Sequence, residues 1–109
     1  MSKQSPSSPD MGLEKAEPKN QENTYKLRLF VAGNNSRGRT AILNLQKICQ
    51  KYIPDNYSLE VIDIYQQASL ARSEQIIATP TLIKELPLPR QRLIGDLSKT
   101  ELLKIALGL

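Results

Sequence analysis

The sequence predicts one small α/β domain, and two patterns carry that prediction. A strand, a helix and a second strand follow one another between Tyr25 and Tyr65, as in a right-handed βαβ unit with parallel strands. The rest of the chain, up to Leu109, gives a short helix, a two-stranded hairpin and a terminal helix. A chain of 109 residues has room for a single core of this kind.

The first 24 residues differ in composition from the rest. They are rich in Ser, Pro, Lys, Glu, Asn and Gln and show no apolar period. Such a segment buries too little apolar surface to offset its ordering entropy. We therefore expect residues 1–24 to be a disordered leader and residues 25–109 to be the folded domain. The sequence shows neither the apolar region of a signal peptide nor a membrane span, so we expect a cytosolic protein.

The first strand and the first helix have clear periodicities. Residues 25–32 alternate between two faces, which is the period of a strand. Asn35 or Ser36 can then cap a helix that runs to about Tyr52. The apolar residues of this helix recur at spacings of three and four and form one stripe. The stripe consists of Ala41, Ile42, Leu45, Ile48, Cys49 and Tyr52.

The second strand and second helix follow a turn at residues 54–56. Residues 59–65 are mostly apolar and β-branched on both faces, which indicates an inner strand. Residues 68–75 are good helix formers, and we expect a short helix there with Leu70 and Ala71 facing inward.

Three prolines shape the second half of the domain, because Pro80, Pro87 and Pro89 lie within ten residues. Pro80 precedes a predicted strand over residues 81–86 and is expected to be buried. It is either a cis proline or an ordinary trans proline that opens the strand. Pro87 and Pro89 separate that strand from the next one, over residues 90–94, and discourage further pairing at the edge.

The last segment predicts a helix. Residues 98–101 have the S-x-x-E form of a capping box, in which Ser98 and Glu101 satisfy each other's backbone N–H groups. An apolar face follows, made of Leu102, Leu103, Ile105, Ala106 and Leu109. The resulting order is βαβαββα, which is a thioredoxin-like layout.

Thiol and metal chemistry find little support in the sequence. A thioredoxin-like enzyme carries C-x-x-C between its first strand and helix, but residues 33–38 read GNNSRG. Cys49 is the only cysteine and is predicted to be in the core. The chain has no His, which removes Cys/His metal sites and a His base. We expect no metal, no other cofactor and no catalysis, and an oxidoreductase that uses Cys49 alone stays a second hypothesis.

The charge of the domain is modestly basic. Residues 25–109 hold twelve basic and seven acidic residues within a chain of net charge +4. The basic residues are scattered, and few aromatic residues lie among them, which favours a solvated surface over a nucleic-acid interface. A nucleic-acid-binding module stays a third hypothesis. We expect neither nucleic acid nor membrane as a partner.

Four stretches, taken together, resemble the KaiB family. They are LRLFVAGN at 27–34, VIDI at 61–64, IATPTL at 77–82 and LIGDLS at 93–98. The resemblance implies a non-enzymatic circadian clock protein that binds a KaiC-type ring ATPase and modulates its phosphorylation and ATPase cycle. It also implies a family with two folds. One is a thioredoxin-like monomer, and the other is a βαββααβ arrangement found in dimers and tetramers.

The resemblance also assigns roles to residues. Tyr25, Gly95 and Asp96 match positions that influence which fold is populated, and Gly95→Ala or Asp96→Arg is expected to favour the thioredoxin-like monomer. The expected contact surface combines the face of the first helix with the edge of a strand. Its partner-binding residues are Arg39, Lys47, Lys51 and Glu60.

Three positions depart from the basic pattern of the clock family. They are Thr40, Glu60 and Gln75. Arg39 can supply a shifted base beside Thr40, but Glu60 places the opposite charge in the expected interface. The alternative is therefore a diverged KaiB paralogue that works with its own ATPase or acts in stress adaptation without a clock function.

Overall fold

The computed structural model describes residues 24–109, so the prediction for the leader lies almost wholly outside the described residues. The elements are β1 (Tyr25–Val31), α1 (Ser36–Tyr52), β2 (Tyr57–Asp63), α2 (Ala68–Ser73), β3 (Thr81–Leu86), β4 (Gln91–Ile94) and α3 (Thr100–Leu107). This βαβαββα order confirms the predicted thioredoxin-like layout rather than βαββααβ. Within the described residues, no helix is long and apolar enough to cross a membrane.

The four strands form one sheet in the order β2-β1-β3-β4. β1 pairs in parallel with β2, from Tyr25 opposite Tyr57 to Val31 opposite Asp63. Its other side pairs antiparallel with β3, and β3 pairs antiparallel with β4. The parallel βαβ unit and the hairpin predicted from the sequence are therefore both present.

The core lies on both faces of the sheet, because β1 alternates as its sequence predicts. Leu27 and Leu29 face α1 and α3, whereas Phe30 faces the side of α2. The larger cluster joins the sheet to the two long helices through Ala41, Leu45, Ile48, Cys49, Leu82, Leu103 and Leu107. The smaller one is made of Phe30, Ile62 and Ile83, with Ile64, Leu70 and Ile76 packed against it.

The prediction of an inner second strand is wrong. β2 lies at the edge of the sheet, because β1 uses its other side to pair with β3. The strand begins at Tyr57, and 43% of the surface of Val61 is exposed. The run of β-branched residues thus reflects a high propensity for strand structure and does not indicate burial on both faces.

The predicted capping box is also wrong. α3 begins at Thr100 after Lys99, and no side chain caps its first turn. The Ser98 N–H instead donates to Oδ1 of Asp96, at 3.1 Å. A competing acceptor two residues earlier therefore keeps Ser98 in the turn before the helix.

The apolar face of α3 differs from the expected one. The helix buries Leu103 and Leu107, whereas Leu102 and Ile105 are 49% and 71% exposed. Leu103 and Leu107 are one helical turn apart and belong to the larger core cluster, so they define the side of α3 that faces the sheet.

Pro80 is fully buried at the start of β3, and the Thr79–Pro80 peptide bond is cis. Its carbonyl oxygen accepts a hydrogen bond from the Gly95 N–H at 2.9 Å, which joins the beginning of β3 to the end of β4. The peptide bonds before Pro87 and Pro89 are cis as well.

Lys84 is a charged residue on the α1 and α3 side of β3. It pairs in register with Leu27, and only 4% of its surface is exposed. No ion pair or hydrogen bond of its ammonium group is present within residues 24–109. Burial of a lysine side chain costs free energy to the extent that its ammonium group loses hydration.

We expect Lys84→Met to raise the free energy of unfolding by about 1 kcal/mol, because the methionine keeps the shape and removes the desolvated charge. Urea unfolding at neutral pH measures the change. Lys26→Met, at an exposed position of β1, is the control and should stay within about 0.5 kcal/mol of the parent. A loss of stability in Lys84→Met would show that the ammonium group has a favourable interaction.

Candidate partner-binding surface

The orientation of α1 follows from its cap and its apolar stripe. The Asn35 side chain accepts a hydrogen bond from the Gly38 N–H at 2.8 Å, which confirms Asn35 as the N-cap. The buried positions are Gly38, Ala41, Leu45, Ile48 and Cys49. Because these residues face the sheet, the opposite side of α1 is left to solvent.

The exposed side of α1 is basic and has an apolar centre. Arg39, Lys47 and Lys51 are all exposed, and the sequence of α1 contains no acidic residue. Leu43 lies one turn from Arg39 and one turn from Lys47, and 59% of its surface is exposed. We call Arg39, Leu43, Lys47 and Lys51 the basic face.

Leu43 is the residue of this face that the sequence prediction missed. The signal was present, because Leu43 does not fit the apolar stripe and so had to point away from the sheet. An apolar centre with a polar rim is one arrangement found at protein–protein interfaces.

The basic character continues onto α3 through Tyr52. The ammonium groups of Lys51 and Lys104 lie 5.3 Å and 5.1 Å from the centroid of the Tyr52 ring. The interaction with Lys104, and secondly that with Lys51, lowers the pKa of the Tyr52 hydroxyl. Two helices thus present positive charge side by side.

Glu60 does not belong to the basic face. It lies on the other side of the sheet, where its carboxylate is 3.8 Å from Nε of Arg28 and its side chain is 61% exposed. Gln75 follows α2 and is also separate, whereas Thr40 is exposed on α1 beside Arg39. The structure therefore brings together three of the four predicted binding residues.

The turn between β4 and α3 holds two of the three residues assigned to the choice of fold. Gly95 has φ +125°, and the Asp96 carbonyl accepts a hydrogen bond from Asn44 of α1 at 2.9 Å. The Ser98 side chain and N–H lower the pKa of the Asp96 carboxyl. Leu97 is buried although its φ is +64°. This turn combines strained backbone with core packing.

Tyr25 lies apart from that turn. It begins β1, half-buried, and its N–H donates to the Asn56 carbonyl at 2.8 Å. Gly95 follows Ile94 of β4. Ile94 lies opposite Thr81 of β3, and Thr81 lies opposite Phe30, which is near the C-terminal end of β1. The three residues assigned to the choice of fold therefore occupy opposite ends of the sheet.

Cys49 is in the core, as predicted. Its side chain is fully buried, and desolvation raises the pKa of the thiol to about 11. A thiol that stays protonated at neutral pH is a poor nucleophile. The loop at residues 33–38 supplies no second sulfur, and the Asp63 carboxylate accepts the Gly33 and Tyr65 N–H groups there, at 3.0 Å and 2.9 Å.

These features define a thioredoxin-like protein without the thioredoxin dithiol. Solved structures agree with the fold. The N-terminal domain of SasA from Synechococcus elongatus has a TM-score of 0.67 at 24% identity, covering 86% of this chain and 92% of that domain. Mitochondrial thioredoxin 3 from Saccharomyces cerevisiae has a TM-score of 0.64 at 20% identity, covering 82% of each chain.

Sequence comparison shows the family. A family model of the KaiB domain matches residues 28–109. Circadian clock protein KaiB3 from Synechocystis is 49% identical over 87 residues, which are 80% of this chain and 83% of that protein. Circadian clock oscillator protein KaiB from Synechococcus elongatus is 45% identical over 86 residues, covering 79% and 82%. The chain belongs to the KaiB family of circadian clock proteins.

Alanine at Gly95 is strained in the observed arrangement, because an L side chain rarely adopts φ +125°. The expected shift toward the thioredoxin-like monomer therefore requires that the alanine destabilise the alternative fold even more than it destabilises this one.

We predict that Gly95→Ala lowers the free energy of unfolding of the monomer by about 1–2 kcal/mol. Urea unfolding of the monomeric fraction measures the change, and Lys99→Ala, at an exposed neighbouring position, is the control. Unchanged stability would mean that the turn relaxes to another conformation.

Cys49 should react slowly with a thiol reagent in the native protein. At pH 8, we expect alkylation about a hundredfold slower than in urea, because the raised pKa leaves correspondingly less thiolate and the site is closed. The chain has one cysteine, so a single absorbance trace reports it. Fast native alkylation would instead favour the oxidoreductase hypothesis.

Proposed function

We propose that this protein binds a KaiC-type ring ATPase through the basic face and modulates the phosphorylation and ATPase cycle of that partner without catalysis of its own. The observation that carries the proposal is the acid-free, solvent-exposed side of α1, found in a chain of the KaiB family. Arg39, Lys47 and Lys51 fit an acidic partner surface, and Leu43 supplies an apolar contact at their centre.

The edge strand β2 adjoins this surface and can extend it. Gln50 of α1 donates to the Tyr57 hydroxyl at 2.9 Å, and a shallow groove between the two elements is also lined by Leu59 and Val61. An edge strand offers unpaired backbone groups to a partner. The same exposed elements would serve self-association to a dimer or tetramer.

A diverged paralogue is the second candidate, and Glu60 is the observation that favours it. Its carboxylate is exposed on the sheet face opposite α1. A partner that contacts both β2 and α1 therefore meets opposite charges at the two places. Such a protein would act with its own ATPase, or in stress adaptation instead of the clock.

Sedimentation tests the proposal. The purified protein is run alone and after a day with the KaiC-type ATPase of the same organism and nucleotide. We expect a slowly formed, ring-sized complex. If the protein sediments unchanged, the clock role fails and the stress-related role becomes the leading hypothesis.

Variants of the basic face locate the contact. Lys47→Glu and Leu43→Asp should each weaken the complex about tenfold or more, because one reverses a charge and the other removes the apolar centre. Lys26→Glu reverses an exposed charge on β1 and should bind as the parent does. Equal binding by all three variants would mean that the complex forms through another surface. The proposal of a KaiC-type partner would still stand.

A further inference from the structure

Three arginines from separate elements converge where α2 ends. Arg28 lies on β1, Arg90 lies in the connection between β3 and β4, and Arg92 lies on β4. The acidic partners of Arg28 and Arg90 are Glu74, directly after α2, and Glu85 on β3. The cluster is on the sheet face opposite the basic face, and its one link to the predicted binding residues is Glu60, which lies 3.8 Å from Arg28.

Each of the two carboxylates bridges two guanidinium groups. Arg28 Nη1 is 3.2 Å from Glu74 and 3.0 Å from Glu85. Arg90 Nη2 is 2.5 Å from Glu74, and its Nε is 3.0 Å from Glu85. The side chains of Arg28, Glu74 and Glu85 are only 15%, 21% and 21% exposed. A partly buried network of this kind is screened less than an isolated surface pair.

Arg92 adds backbone contacts at the same place. Its guanidinium donates to the carbonyl of Glu74 at 2.7 Å and to that of Gln75 at 3.1 Å. A cation next to carbonyl groups at a helix end satisfies acceptors that lack an intrahelical partner. Gln75 has φ +56°, a conformation that a non-glycine residue keeps only when its surroundings hold it.

α2 depends on such external contacts, because a helix of six residues is too short to be stable alone. Ala71 is its one buried residue. Leu70 and Ile76 pack against the smaller core cluster only as partly buried residues, and Ile77 in the connection that follows is 87% exposed, so apolar packing alone holds this part of the chain weakly. Ion pairs and hydrogen bonds must therefore supply the stability that apolar packing does not provide at the end of α2.

We propose that Arg28, Arg90 and Arg92 form an ionic latch on Glu74, Gln75 and Glu85, which holds the end of α2 against the β3–β4 hairpin and opens at high ionic strength or in acid. The proposal goes beyond partner binding, since it assigns a conformational control to the opposite face of the sheet. When the latch opens, the turn at residues 74–76 is released while the central strand stays paired.

The direction of the acid effect follows from the charges around the two glutamates. Arg28 of β1, Arg90 and Arg92 face them, and Glu60 of β2 is 3.8 Å from Arg28. Arg90 is the first cause that lowers the pKa of both Glu74 and Glu85 from the ordinary value of 4.5. Carboxyls with lowered pKa stabilise the structure above that value, and this contribution is lost as the pH falls through the pKa in the folded state.

Hydrogen exchange of the full chain tests the latch, because three amides at the end of α2 report it directly. The N–H groups of Glu74, Gln75 and Ile76 donate to carbonyls of Leu70, Arg72 and Ala71 at 2.9–3.0 Å. We expect Arg92→Met and Glu74→Gln to raise exchange at these amides about tenfold, with a much smaller change at Leu29 and Phe30. Arg37→Met removes an exposed arginine outside the latch and is the control.

The unmodified protein gives a second measurement that needs no variant. Raising the salt from 0.05 M to 1 M should accelerate exchange at the same three amides more than in β1, because screening weakens the ion pairs. The salt effect should be smaller in Glu74→Gln. Uniform acceleration at all amides, or none at residues 74–76, would overturn the proposal.

Discussion

Everything in this fold depends on the position of β1. The strand is paired on both edges and covered on both faces, with Leu27 and Leu29 toward α1 and Phe30 toward α2. A shift of one residue would exchange the two faces and bury Arg28 under α1. The register of β1 thus fixes the side on which each helix lies, and with it the separation of the basic face from the ionic latch.

The elements that the sequence predicted well are those with a strong local pattern. α1 combines a regular stripe with a cap, and the structure bears out both Asn35 and the end at Tyr52. The prediction that β2 is an inner strand was wrong because amino-acid composition indicates a strand but not how many strands pair with it. The capping box failed for a similar reason, since Asp96 competes for Ser98 and the S-x-x-E pattern does not include that residue.

The candidate site was predictable only in part. Arg39, Lys47 and Lys51 share a helix, so helical geometry alone places them together. Glu60 depends on which face of β2 meets α1, and the resemblance did not contain that information. The latch could not be read from the sequence, because Arg28 is 46 residues from Glu74 and 57 from Glu85, and only the completed sheet brings them into contact.

The charge of α1 has a kinetic consequence. A helix with four bases and no acid attracts an acidic surface before contact, so it acts mainly on the rate of encounter and on orientation. In the proposed complex, Leu43 would act only after water has been expelled from the contact, so it would govern the residence time of the partner. The rate of encounter and the residence time can therefore change independently among relatives. The first depends on exposed charge, and the second depends on a single apolar side chain.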